Sequence, residues 1–293
     1  MSPDSPRALF AGLTTLDVIQ SVERVPAANQ KIAALDFLVA AGGPATNAAV
    51  AFAHLGGTPT LATRLPQHPL ADPIRADLAA CGVGLLDHGD GSGPPVTASI
   101  MVTQATGERA VVSPSASAVR TDRAPVEPPS LDGVSAVLID GYHPEIAVPL
   151  AMAARAAGVP VVMDAGSLKP HTASVVRAAD IVIASDDLRT PHGSGAPEDV
   201  FAWLGSLGVE TMAITRGSQP VLWRVRGAQG EVPVAPVPVV DTLGAGDFFH
   251  GTLAFRIALL GRDDARLADD LAWAADAMAP SLRTFGTRAW LRS

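Results

Sequence analysis

The sequence predicts an α/β fold: a doubly wound, mostly parallel sheet with helices on both faces and a small antiparallel sheet inserted into it. Three observations predict this. Short β-branched runs alternate with alanine-rich runs over most of the 293 residues, the pattern of repeated strand–helix units. Hydrophobic residues make up 48% and charged residues 17%, which suits a large packed core and is far too apolar for disorder. Two segments, Val18–Val39 and Val96–Val112, break the alternation and read as paired strands with no helix between them.

Ala8–Gly12 reads as the first strand. The apolar stretch it opens ends at Leu16, is interrupted by Gly12, Thr14 and Thr15, and meets Asp17 at once, so it makes a poor secretion signal. Thr46–Leu55 reads as a helix closed by Gly56-Gly57. Then follow Val134–Ile139 (strand), Pro144–Ala157 (helix), Val159–Met163 and Ile181–Ala184 (strands). Asp199–Leu207 (helix), Thr211–Thr215 (strand), Ala245–Leu260 and Asp264–Ala277 (helices) complete the series. The second interrupting segment turns at Ala105-Thr106-Gly107. Residues 18–39 and 96–113 are expected to form a β lid inserted into one domain spanning 1–293. The lid would border the carboxyl edge of the main sheet, where such folds bind ligands. An ordinary edge hairpin fits the same pattern.

Charge narrows the partners. A net charge of −8 and a pI near 5.3 offer no basic footprint for nucleic acid or an anionic membrane. No stretch reaches the ~18 apolar residues a membrane span needs. Aromatics at 4% disfavour a base-stacking surface. Cys81 is the only cysteine, which excludes an intrachain disulfide and a cysteine-rich metal site and suits the reducing cytoplasm, the expected location. The seven histidines show no metal-ligand spacing.

The chemically informative segment is Asp241-Thr242-Leu243-Gly244-Ala245-Gly246-Asp247, which runs into a helix. Gly244 and Gly246 allow a turn that aims backbone N–H groups and a helix dipole at one spot, suited to phosphate oxygens. Asp247 would then stand beside a bound anion, ionised and repelled, unless it serves that anion's chemistry. Phosphoryl transfer needs such an acid to accept the proton of an attacking hydroxyl. An acidic cap on an ordinary helix fits the same seven residues. No Gly-x-x-x-x-Gly-Lys-Ser/Thr is present, so this is not a P-loop, and no Gly-x-Gly-x-x-Gly opens a dinucleotide fold.

Asp241–Asp247 resembles the Asp-Thr-x-Gly-Ala-Gly-Asp signature of the ribokinase-like (PfkB) carbohydrate kinases. Gly42-Gly43-Pro44-Ala45-Thr46-Asn47 resembles that family's Gly-Gly-x-x-x-Asn segment, Gly12–Asp17 its first strand and substrate aspartate, and Thr215-Arg216-Gly217 the turn before its nucleotide site. The pattern is most similar to that of ketohexokinase-like members. The resemblance implies a three-layer α/β/α sandwich with a small antiparallel β lid, and phosphorylation of a small sugar by ATP and Mg2+.

By similarity, Asp247 is the base, and Gly244, Ala245 and Gly246 form the anion hole. Asp17, Gly43 and Asn47 bind sugar hydroxyls. As isolated residues, Asp17 and Asn47 equally suit a strand-end and a helix cap. Arg109 matches an arginine near the active site, and Asp140 stands at a strand end where it faces sugar or metal. Thr215, Arg216, Gly217, Phe285 and Gly286 line the adenine pocket, and Asp241 is the residue placed to sit beside a monovalent cation such as K+. Lys169 and Asp164 read as part of a solvated loop, and His250 as a packed helix histidine. The lid implies a homodimer. Two departures stand out: Ile183-Ala184-Ser185-Asp186-Asp187 replaces the ribokinase Asn-x-x-Glu element, and Pro44 stands where some ketohexokinases carry a polar ligand. A nucleoside kinase, or a non-catalytic binding protein of the same fold, is the alternative reading.

Overall fold

The computed structural model describes residues 5–114 and 123–292. Seven parallel strands form most of a nine-stranded sheet: β1 (Arg7–Ala11), β4 (Thr58–Thr63), β5 (Gly84–Asp87), β8 (Val134–Ile139), β9 (Val161–Ala165), β10 (Ile181–Ser185) and β11 (Thr211–Arg216). An antiparallel edge of β12 (Gln219–Val225) and β13 (Ala228–Val232) completes it, in the order β13-β12-β11-β10-β9-β8-β1-β4-β5. The central strands are apolar on both faces, as strands covered on both sides must be.

Helices α1 (Pro44–His54), α2 (Asp72–Ala80), α6 (Ala245–Leu260) and α7 (Leu267–Met278) share one core on one side of the sheet. Helices α3 (Pro144–Ala156), α4 (Thr172–Ala178) and α5 (Pro197–Ser206) share the other. The three-layer sandwich is therefore as expected. Helix α6 is buried against both sheet and helices and is apolar almost all round. It approaches α1 so closely that a Cβ on Gly251 would lie 2.2 Å from the Ala48 carbonyl oxygen. That approach later sets two active-site side chains face to face.

The lid is a four-stranded sheet, β3 (Asp36–Gly42), β2 (Thr15–Val22), β6 (Thr97–Thr103) and β7 (Arg109–Val112), in that order. Its two outer pairings are antiparallel, but the central pair β2–β6 is parallel. The segments between β2 and β6, which include α1 and α2, provide the crossover a parallel pair requires. Strand β2 starts at Thr15, earlier than expected, and so carries Asp17 within the lid. Ile19, Ala98, Ile100 and Val102 pack under the lid against Leu38, Leu243 and Phe285, so the lid rests on the signature turn itself.

Candidate active site

Gly244 caps α6 at φ 75, a left-handed conformation that a side chain would strain. No side chain caps the helix, so first-turn amides stay open to an anion. Ala245 leaves the predicted donor set, because its N–H donates to the Thr242 carbonyl at 3.3 Å. Asp241 turns out to brace the turn: its oxygens accept the N–H groups of Leu243 and Gly286, each at 2.8 Å. Thr242 is clamped to the lid, donating its hydroxyl to the Gly107 carbonyl (2.9 Å) and accepting from Arg109 Nη1 (3.2 Å).

Asp247 lies in the first turn of α6 and accepts a 2.8 Å hydrogen bond from Asn47 Nδ2. Asn47 is thus not the cap of α1, a place Gly43 takes at φ 100. Burial first, then the charge of Asp164, pushes the Asp247 carboxyl up from its ordinary value; Asn47, His250 and Arg109 pull it back. The net rise brings it nearer to neutrality, where a general base works best.

Behind the base, His250 is buried, with Nδ1 2.6 Å from the Gly246 carbonyl and 3.3 Å from Asp164 Oδ2. Asp164, expected in a solvated loop, is buried at the end of β9, and burial followed by the charge of Asp140 raises its pKa. Lys169 is half-buried, with its ammonium 4.1 Å from the centre of the Tyr142 ring.

On the acceptor side, Asp17 is buried in β2, and its carboxylate accepts the Thr15 hydroxyl at 2.5 Å. It occupies the space beside Gly42, where a Cβ would meet its oxygen at 1.9 Å. Asp140 departs from the expected sugar-facing role. It is 2% exposed, and its oxygens accept the backbone N–H groups of Leu13 (2.9 Å), Ala45 (3.1 Å) and Tyr142 (2.8 Å). It ties the ends of β1 and β8 to the start of α1, filling the room that Gly12 leaves.

With this geometry in view, the comparisons decide the family. A model of the pfkB family carbohydrate kinases matches residues 6–291. The chain belongs to the PfkB family of carbohydrate kinases. It is 30% identical to fructokinase-1 of Zea mays over 261 residues, covering 80% of this chain and 78% of that one. It is 24% identical to a ribokinase of Arabidopsis thaliana over 273 residues, covering 87% of this chain and 71% of that one. Among solved structures, Arabidopsis thaliana ribokinase complexed with ribose and ATP matches with a TM-score of 0.72 at 22% identity, over 98% of each chain.

In this PfkB member the expected nucleotide residues fall into two places. Thr215 and Arg216 end β11 and Gly217 follows in the turn to β12, three strands along the sheet from β8. Thr215 donates to the Ala184 carbonyl, and Arg216 binds the Pro220 carbonyl through Nε and Nη2 at 2.9 and 2.7 Å. Phe285 and Gly286 instead belong to the lid side. Phe285 packs in the cluster under the lid, and a Cβ on Gly286 would meet Leu38 Cδ2 at 2.5 Å. The Gly286 N–H is held by Asp241, so the pair supports the signature turn.

A cavity of about 610 Å³ opens beside the lid hairpin, lined by Val25, Glu108, Arg109, Val111 and Thr242 among others. Among the described residues, no group of three or more His, Cys, Asp or Glu gathers to hold a metal, and Asp241 acts as a brace. None of their helices is long and apolar enough to cross a membrane.

Sequence reasoning did not single out Arg288. Its guanidinium reaches Asn47 Oδ1 (3.3 Å), Asp77 Oδ2 (3.0 Å) and the Ala41 carbonyl (2.6 Å). Only the packing of the chain's last turns against α1 and β3 reveals it.

Proposed function

We propose that this protein transfers the γ-phosphoryl group of ATP to a hydroxyl of a small sugar or sugar derivative, a ketose or pentose, with Asp247 as the base. The observation that carries the reading is Asp247 itself. It is a carboxyl group raised toward neutrality, held by one amide donor, in the first turn of a helix whose N-terminus is open to an anion. Asp247 takes the acceptor hydroxyl proton as that oxygen attacks the γ-phosphorus in line. The bond from phosphorus to the β–γ bridging oxygen breaks, and ADP leaves. Amides at Gly244 and Gly246 hold the charge on the moving group.

Asp17, Gly43 and Asn47 are the residues we assign to the sugar, and Thr215 to Gly217 to the nucleotide. Mg2+, when bound, neutralises phosphate charge. The exposed Asp186 and Asp187, just beyond β10, are the carboxylates we assign to it and would hold it through water. Asp241, committed to two amides, is not assigned a cation.

The test is ADP release from ATP and magnesium with pentoses, ketohexoses, sugar acids, phosphosugars and nucleosides, for wild type beside Asp247→Asn. One acceptor class turns over, and the variant loses about 10²–10⁴ in kcat while folding normally. ATP binding with no turnover on any acceptor would favour the binding-protein reading instead.

The lid supports a homodimer. Its outer face presents Phe37 and Val39 from β3 and Val112 from β7, which are 59%, 39% and 71% exposed, beside Val18 and Met101 in register. Phe37→Asp is expected to shift a dimer to monomer by light scattering; a wild-type monomer at micromolar concentration would remove the proposal.

A further inference from the structure

The Asn47 side chain offers two nearly isosteric ends, a carbonyl and an NH2, and the two act on Asp247 in opposite ways. An NH2 facing the carboxylate stabilises its ionised form, whereas a carbonyl facing it would favour the protonated form. What decides the orientation is on the far side of Asn47. Arg288 Nη1 lies 3.3 Å from Asn47 Oδ1, and a guanidinium can only donate. The carbonyl end is therefore held toward Arg288, and Nδ2 is left to meet Asp247 Oδ2 at 2.8 Å.

Arg288 is itself well anchored. Its side chain is 11% exposed, and Nε and Nη2 both reach Asp77 Oδ2 at 3.0 Å. Nη2 also donates to the Ala41 carbonyl at 2.6 Å, and Asp77 in turn accepts the Ala41 N–H at 2.9 Å. One guanidinium thus joins the end of the chain, α2, β3 and α1 at the point where Gly42-Gly43 leads into Asn47.

We propose that Arg288 is a positioning residue for the phosphoryl-transfer base, fixing the Asn47 amide so that it donates to Asp247 and holds that carboxylate ionised. The proposal rests on the reading of Asp247 as the base. The other charged groups acting on Asp247 are Asp164 from the end of β9, His250 from its own helix and Arg109 from the lid. None of them touches the Asn47 carbonyl in the way Arg288 does.

The test reads protonation without turnover, by titrating the Asp247 carboxyl carbon in the unliganded protein by NMR, with Asp247→Asn used to assign the signal. Arg288→Gln, which can offer Asn47 either a donor or an acceptor, is expected to raise the midpoint by at least about half a pH unit. Arg288→Lys, which can only donate, should bring it most of the way back. A purely structural role would make the two variants alike, since both lose the forked contact to Asp77 and Ala41. Asp77→Asn loosens the guanidinium without removing it, and should shift the midpoint in the same direction by less. This keeps the question answerable if Arg288→Gln does not fold. Unchanged midpoints in the folded variants, or equal shifts in the Gln and Lys variants, would overturn the proposal. Failure of every sugar to turn over would remove the kinase reading while leaving this measurement intact.

Discussion

Asp140, just beyond β8, and Asp247, at the start of α6, are two aspartates that burial pushes toward protonation, yet they are held in different ways. Asp140 accepts three backbone amides from three separate stretches of chain, and the empty side of Gly12 gives it room. Asp247 accepts one side-chain amide and stands beside an uncapped helix end. A carboxylate saturated by main-chain donors cannot exchange partners without breaking the fold. One held by a single amide keeps lone pairs free for a substrate proton. The same residue type, both times at the end of an element, becomes a strut in one place and a reagent in the other.

The same mild substitution should separate them most sharply. Asp247→Asn removes the proton acceptor, so kcat is expected to fall by about 10²–10⁴ with a melting temperature no lower than that of wild type, since a buried charge is removed. Asp140→Asn turns an NH2 toward at least one backbone N–H, leaving buried donors opposed. A loss of about 2–3 kcal/mol, seen as a fall in melting temperature of roughly 5 °C, is expected, with residual activity in whatever remains folded. Equal stability in the Asp140 variant would end its reading as a strut.

How far the sequence discloses this contrast follows from which contacts are local. The heptapeptide Asp241–Asp247 and the helix after it are contiguous, and the expected Ala245–Leu260 is the helix observed. Strands β8 and β10 also lie where their apolar runs put them. Strand β4, with Pro59 inside it, and the polar edge strand β13 carry no comparable pattern. The supports of the base are legible only in three dimensions. Arg288 meets Asn47 across 241 residues because the chain end packs against α1, and His250 meets Asp164 because α6 lies over β9. The spaces beside Gly12 and Gly42 hold carboxylates, but a glycine in a sequence does not say whose.

A smaller effect tests the electrostatic side of the comparison. Burial raises Asp164 to about 7, from an ordinary 3.8, and its charge in turn raises Asp247. A carboxyl raised in the folded state stabilises the fold below its unfolded value and loses that contribution as pH rises through about 7. His54, His88 and His250, lowered below 6.5 by burial, act in the opposite sense, so the informative quantity is the difference between variant and wild type. Asp164→Asn is expected to melt about 2–4 °C above wild type at pH 8, with the gap narrowing as pH falls below about 7 and closing near the unfolded value, about pH 4, and to move the acid limb of kcat to lower pH. A gap independent of pH would mean that Asp164 acts through packing alone.

The smallest expected effect concerns the residue that touches the base's surroundings most loosely. Arg109 is exposed and reaches Thr242 Oγ1 and O at 3.2 and 3.4 Å, contacts that clamp the lid hairpin to the signature turn and are worth little to stability. Its charge also pulls Asp247 and Asp241 downward. If the clamp is its whole role, Arg109→Ala should lower kcat/KM by only about threefold to tenfold, and Arg109→Lys should restore most of it, because a lysine reaches Thr242 equally well. An arginine that meets the transferred phosphoryl group when the lid closes behaves otherwise. Its removal costs about 10³ or more, and lysine does not replace its planar fork. The two variants, read by ADP release with the acceptor that turns over, therefore distinguish a third strut from a second reagent at the mouth of the same site.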